Sequence, residues 1–213
     1  MIHALMRAAA LLSLATTTAA AAPARAVVAA PLDTVVFAGG CFWGVQAVFQ
    51  HVNGVVTATS GYAGGDSANP TYEQVSDGNT GHAEVVRVVY DPSKVTYAKL
   101  MQVFFDVAHD PTQLNRQGPD RGTQYRSALY YTKDTQRAEA QSYIAQLVKS
   151  GYVKSPIVTE VAPLKTFFVA EKYHQDYATL NPNQPYIVQH DAPKIADLKK
   201  RYSGLWTDKR AKH

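Results

Sequence analysis

The chain has 213 residues, 46% of them hydrophobic, with 21 Lys+Arg against 17 Asp+Glu and a formal net charge of +4. This balance is that of one globular domain with a well-formed core. The basic residues are densest at the C-terminal end (199–212), where a solvated tail is more common than a binding patch, so we expect no nucleic-acid partner.

Residues 1–26 have the layout of a secretory signal peptide. Arg7 precedes an apolar run at 8–15 that is too short to span a bilayer, and an A-x-A cleavage pattern follows at 24–26. A mitochondrial transit peptide is the alternative, but it would carry more Arg and Ser. We therefore predict a single domain over 27–213, no membrane span in the mature form, and an exported location, periplasmic or secreted.

The hydrophobic patterns of the first half predict a strand at 34–38, a helix at 42–53 and a strand at 55–62. A long loop at 63–81, a strand at 82–90 and a helix at 96–107 follow. One helical turn is expected inside the loop, after Pro70. The patterns of the second half predict a long loop at 109–124, a strand at 125–132, a helix at 134–150, a strand at 156–161 and a helix at 169–180.

The element order from residue 34 to 132 is β-α-β-β-α-β, the split βαβ arrangement of a ferredoxin-like sandwich. We therefore predict an α+β fold with two layers, an antiparallel sheet covered by helices on one face, and additional elements after residue 133. The loops at 63–81 and 109–124 are longer than most connections, and long loops in a compact domain are usually functional.

The only cysteine of the chain, Cys41, lies in the stretch GGCFWG, between a predicted strand and a predicted helix. The first turn of a helix has unpaired N–H groups and the positive end of the dipole, which favour a thiolate and lower the pKa of a thiol. A packed, inert cysteine is the alternative. A single cysteine excludes an internal disulfide.

Four motifs in this order resemble those of the A-type peptide-methionine sulfoxide reductases. They are GCFWG (40–44), GHAE (81–84), GTQYR (122–126) and AEKYHQDY (170–177), and the resemblance extends from about residue 35 to about residue 181. It implies an enzyme that reduces the S epimer of methionine sulfoxide in oxidised proteins and peptides to methionine. Protein repair after oxidation is the implied purpose.

The resemblance also implies catalytic roles. Cys41 attacks the sulfoxide sulfur, and Glu84, with a pKa raised by burial, is the acid that protonates the oxygen. Tyr72 and Tyr125 donate O–H hydrogen bonds to the same oxygen.

Three further residues are implied to bind the substrate. Phe42 and Trp43 hold its methyl group by a sulfur–aromatic contact, and Asp120 positions the substrate or an ordered water. The seven histidines show no metal-ligand spacing, so we predict no metal site.

The chain departs from the family in one respect. Many members carry further cysteines near the C-terminus that attack the oxidised nucleophile, and the tail SGLWTDKRAKH (203–213) has none. Recycling of Cys41 therefore requires an external thiol reductant, such as a thioredoxin-like protein or, in vitro, dithiothreitol. No bound cofactor is expected, and we expect a monomer.

Two other classes of function stay open from the residues alone. An exported cysteine hydrolase or acyltransferase would need a base beside Cys41, and His82 is the candidate. A non-catalytic binding module would use the aromatic residues as a surface and would not depend on the thiol.

Overall fold

The computed structural model describes residues 31–213, so the predicted signal peptide lies outside the described residues. The strands are β1 (Asp33–Gly39), β2 (Val55–Ala63), β3 (Ala83–Tyr90), β4 (Arg116–Gln117), β5 (Asp120–Arg121), β6 (Ser127–Tyr131), β7 (Glu160–Pro163) and β8 (Phe167–Val169). The α-helices are α1 (Phe42–Gln50), α2 (Tyr72–Ser76), α3 (Tyr97–Val103), α4 (Asp134–Ser150), α5 (Tyr177–Leu180) and α6 (Ala192–Arg201). Single π-helical turns extend α3 and precede α6, at Phe104–Ala108 and Ile187–Asp191, and 3₁₀ turns cover Thr123–Tyr125 and Lys172–His174.

The main sheet has six strands in the order β7-β6-β1-β3-β2-β8. In its central part β1 pairs antiparallel with both β3 and β6, and β2 pairs antiparallel with β3. The side chains of α1, α3 and the central strands form one core, in which Phe37 of β1, Phe49 of α1 and Phe104 of the π-helical turn after α3 are fully buried. The predicted α+β class is confirmed.

The sheet is curled, because its two outer strands are joined by only three residues, 164–166. In a flat sheet the outer two of six strands would be about 24 Å apart, at about 4.8 Å per neighbouring pair. The chain from Pro163 to Phe167, four Cα–Cα distances long, can span at most about 14 Å when fully extended. The face that lies opposite the main core carries Ala38, Ala63, Ala128 and Tyr130, and Leu164 of the β7–β8 connection packs on it.

Beyond residue 150 the structure differs from the sequence pattern. The predicted strand at 156–161 starts at Glu160, where pairing with β6 begins, and the three-residue strand β8 had no pattern long enough to predict it. The predicted helix at 169–180 is interrupted at Asp176, whose φ of 59° lies in the left-handed region. Helix α6 was not predicted.

The C-terminal tail is held by backbone hydrogen bonds along the end of α1. The N–H of Asn53 donates to the carbonyl of Leu205 at 2.7 Å, and the N–H of Ala211 donates to that of Gln50 at 2.8 Å. Within residues 31–213, no helix has the length and apolar character needed to cross a bilayer.

Candidate active site

One cavity of about 200 Å³ is lined by all seven residues to which the resemblance assigned a catalytic or substrate-binding role. Their side chains come from α1, α2, β3 and the segment 116–125, which are distant in the chain and meet at one end of the sheet. The cavity is lined by Cys41, Phe42, Trp43, Tyr72, Glu84, Asp120, Tyr125 and Tyr186.

Cys41 is the residue that precedes the first turn of α1, as predicted, and only 9% of its surface is exposed. Burial raises the pKa of its thiol well above the ordinary value, and the carboxylates of Glu84 and Asp191 act in the same direction. The hydrogen bond from the N–H of Trp43 lowers the pKa of the thiol, but by less than burial raises it. Burial therefore shifts the pKa of this thiol in the direction opposite to the one expected from its place at the start of a helix.

Glu84 lies near the start of β3 and is 2% exposed. Burial raises the pKa of its carboxyl to about 8, although a hydrogen bond from the backbone of Phe42 opposes the rise. That N–H donates to Oε2 at 3.0 Å and so ties the carboxyl to the first turn of α1, next to Cys41. At neutral pH the group is mostly protonated, which is the state that an acid needs before it acts.

The two predicted tyrosines are positioned by their local backbones. Tyr72 is the first residue of α2, and its N–H donates to Oε1 of Glu171 at 2.9 Å. Tyr125 is the last residue of the 3₁₀ turn that precedes β6. Burial raises the pKa of both phenols, so both keep the proton that a hydrogen-bond donor needs.

An aromatic wall forms around the side chain of Trp43. Its indole stacks on Tyr177 with ring centroids 3.9 Å apart, and its Nε1 donates to Nδ1 of His174 at 3.1 Å. The ring of Phe42 lies 5.0 Å from that of His174. The motif at 170–177 therefore braces the apolar side of the cavity, which suits a thioether methyl group.

Tyr186 is the one lining residue that the sequence analysis missed. Its O–H donates to Oδ2 of Asp120, and burial raises its pKa, so it remains protonated. It lies outside the recognised motifs, in a segment with prolines at 182 and 185, and nothing local distinguishes it from the other tyrosines of the chain.

His82, the base required by the hydrolase hypothesis, does not line the cavity. Its Nδ1 accepts from the N–H of Gly65 at 3.1 Å, and its Nε2 donates to the carbonyl of Ser67 at 2.8 Å. Both ring nitrogens therefore hold the loop after β2. In the part of the chain from residue 31 onward, no group of three or more His, Cys, Asp or Glu side chains is placed to hold a metal ion.

Comparisons with known proteins identify relatives along most of the chain. The family described as peptide methionine sulfoxide reductase matches residues 33–205. "Peptide methionine sulfoxide reductase MsrA 2" of Mesorhizobium japonicum is 59% identical over 177 residues, which are 83% of this chain and 91% of that protein.

Two solved structures are also similar. Mxr1 from Saccharomyces cerevisiae in reduced form has a TM-score of 0.67 and 37% identity, over 72% of this chain and 87% of that chain. Methionine sulfoxide reductase A of Corynebacterium diphtheriae has a TM-score of 0.65 and 39% identity, over 72% of this chain and 76% of that chain.

Proposed function

The chain belongs to the peptide methionine sulfoxide reductase family, and from this premise we propose that it reduces the S epimer of methionine sulfoxide in oxidised proteins and peptides. The observation that carries the proposal is the cavity itself, where the only cysteine sulfur and a buried, protonated carboxyl line the same small, partly aromatic space. The restriction to one epimer follows from the existence of separate enzymes for the two sulfoxide epimers.

The reductive step transfers two protons and one electron pair. The sulfoxide oxygen takes one proton from the Glu84 carboxyl and one from the Cys41 thiol, while Tyr72 and Tyr125 stabilise its charge by O–H hydrogen bonds. The electron pair of the Cys41 sulfur forms a bond to the substrate sulfur as the sulfur–oxygen bond breaks. The products are a water, the Glu84 carboxylate and a sulfonium joined to Cys41.

A second step releases methionine. A water attacks the Cys41 sulfur, the electron pair of the sulfur–sulfur bond leaves with methionine, and Glu84 recovers its proton. The methionine sulfur has then been reduced by two electrons, and Cys41 has been oxidised to a sulfenic acid.

The raised pKa of the Cys41 thiol is compatible with this sequence. A protonated sulfoxide carries positive charge at its sulfur, and a positive charge beside a thiol favours the thiolate. Cys41 thus becomes a strong nucleophile only when substrate is in place. Burial favours the protonated thiol between turnovers, and a thiol is less readily oxidised than a thiolate.

The number of turnovers without reductant tests the function. Reduced protein mixed with excess S sulfoxide should form one equivalent of methionine and stop, because Cys41 has no second thiol in its chain. Dimedone should then label Cys41, and dithiothreitol should restore turnover. The R epimer serves as the matched control and should give no methionine. Repeated turnover in the complete absence of thiols would contradict the mechanism.

An external dithiol protein of the thioredoxin class is the proposed physiological reductant. It supplies the two thiols that the chain lacks: the first forms a mixed disulfide with Cys41, and the second resolves it. An excess of such a protein should replace dithiothreitol in the assay, whereas a variant that retains one of its two thiols should remain attached to Cys41.

We propose that the protein is exported, on the basis of the signal-like pattern at 1–26. N-terminal sequencing of the protein recovered from producing cells should begin near Val27, and the protein should be found outside the cytoplasm. An intact Met1 on cytoplasmic protein would show that this proposal is wrong.

A further inference from the structure

A second, smaller cavity of about 90 Å³ reaches Cys41 from the segment that follows β4 and from the turn at the start of α6. It shares three residues with the substrate cavity: Cys41, Asp120 and Tyr186. The other lining residues are polar or small and include no member of the aromatic wall. They are Gln117, Gly118, Pro119, His190 and Lys194.

Two side chains lie close to the glycines on either side of the nucleophile: Gln117, which lines the second cavity, and Asp191, which pairs with the lining residue Lys194. A Cβ added to Gly40, whose φ is 86°, would lie 2.4 Å from the Cβ of Gln117. A Cβ added to Gly44 would lie 2.0 Å from Oδ1 of Asp191. Glycine is therefore required at both positions of the GGCFWG stretch, and the cavity walls have a defined position relative to the sulfur.

Acidic side chains surround Cys41 on the substrate side and beneath α1, and Glu84 among them is mostly protonated at neutral pH. Glu84, Asp120 and Asp191 all oppose the ionisation of its thiol. An incoming anion that approached Cys41 through this environment would be repelled.

The second cavity contains a positive charge, that of Lys194, which counteracts this repulsion. Lys194 lines it, with a side chain that is 21% exposed, and its Nζ lies 3.4 Å from Oδ1 of Asp191. Asp191 is completely buried, and its Oδ2 has no hydrogen-bond partner among the described residues. The one hydrogen bond of the Lys194 ammonium group among the described residues goes to Asp191 Oδ1, so two of its three hydrogens remain available to a ligand.

We infer that the second cavity receives the thiolate of the external reductant and that Lys194 attracts and holds this anion beside the Cys41 sulfenic acid. The space is about that of three waters at about 30 Å³ each, which suits the methylene and sulfur of one thiol side chain. The inference rests on the proposed function, because it needs the sulfenic acid that the reductive step produces.

The chemistry at this cavity is a displacement at sulfur. The reductant thiolate attacks the Cys41 sulfur, the sulfur–oxygen bond breaks, and the hydroxyl leaves as water with a proton from Glu84 or solvent. A mixed disulfide results. A second thiolate of the reductant attacks the reductant's own sulfur, so Cys41 leaves as a thiolate, and the reductant ends as a disulfide.

Separate measurement of the two half-reactions tests the inference. The first reading is the rate of methionine formation in a single turnover without thiol. The second is the rate at which the isolated sulfenic form reacts with mercaptoethanesulfonate, mercaptoethanol or cysteamine, each corrected to its thiolate concentration. The proteins are the unchanged chain, Lys194→Gln, Lys194→Arg and, as matched control, Lys200→Gln, which removes an exposed lysine from the same helix.

We expect Lys194→Gln to slow the reaction with the anionic thiol about tenfold more than it slows methionine formation, as for a charge that steers an anion. Lys194→Arg should retain most of the rate, and Lys200→Gln should behave as the unchanged chain. In the unchanged chain the anionic thiol should react faster than cysteamine, by a margin that falls as salt is added.

Two results would overturn the inference: recycling of Lys194→Gln at the unchanged rate, or a faster reaction of cysteamine in the unchanged chain. A failure of the proposed function is recognised separately, because the unchanged chain would then form no methionine or no sulfenic acid in the first half-reaction.

Discussion

Cys41→Ser is expected to abolish methionine formation. The substitution changes one atom, but a serine hydroxyl does not ionise near neutral pH. It also cannot give up the two electrons that reduction of the sulfoxide requires. The rate in a single-turnover assay with an S sulfoxide peptide should fall to the uncatalysed level. Binding of the peptide, measured by quenching of the fluorescence of the Trp43 indole, should persist, because the rest of the cavity is retained.

Retained turnover in Cys41→Ser would show that another group is the nucleophile and would favour a function independent of the thiol. A melting temperature within a few degrees of that of the unchanged chain establishes that the variant is folded. The position is buried, but it precedes the first turn of α1, where a serine hydroxyl is a favourable cap.

Glu84→Gln is expected to slow the reductive step by about 100-fold or more, as for a positioned acid. Glutamine has the size of glutamic acid, and its carbonyl oxygen can accept the hydrogen bond that the Phe42 N–H now donates to Oε2. The loss is therefore that of a transferable proton, and substrate binding should change little. The matched control is Glu139→Gln, which removes an exposed carboxyl on α4.

The pH dependence provides a second test of the same group. A buried carboxyl whose pKa is about 8 carries its proton below that pH and loses it above. The rate of the reductive step at low substrate concentration should therefore fall as the pH rises through about 8. This descending limb should be absent in Glu84→Gln. A near-normal single-turnover rate in the variant would show that another group protonates the oxygen.

The seven predicted site residues were selected through the resemblance to the family, and some of them also lie at recognisable element boundaries. Cys41 follows a strand and two glycines, and Tyr72 starts the helical turn expected after Pro70. The structure brings all seven to one cavity. Tyr186 and Lys194 could not be selected in this way, because they lie in a segment where no motif was recognised and no helix was predicted.

Local pattern also explains which parts of the fold could be predicted. Strands β1, β2, β3 and β6 and helices α1, α3 and α4 have hydrophobic periodicities of sufficient length. Strands β7 and β8 have three or four residues each and form by pairing with β6 and β2, so their positions depend on the sheet that precedes them. The interruption at Asp176 likewise depends on tertiary contacts: its N–H donates to Gln46 of α1.

The sequence by itself predicted the element order of the core from its hydrophobic spacing, and its resemblance to the family supplied the expected nucleophile Cys41, the expected acid Glu84 and the expected external thiol. Only the tertiary structure decided the direction of the pKa shift at Cys41, the curl of the sheet and the existence of a second cavity beside the sulfur. The physical reason is that burial and Coulomb interactions depend on distance in space: Glu84 and Asp191 act on Cys41 from 43 and 150 residues away in the chain. The N-terminal end of α1 favours the Cys41 thiolate, whereas burial and the distant carboxyl groups of Glu84 and Asp191 favour the protonated thiol.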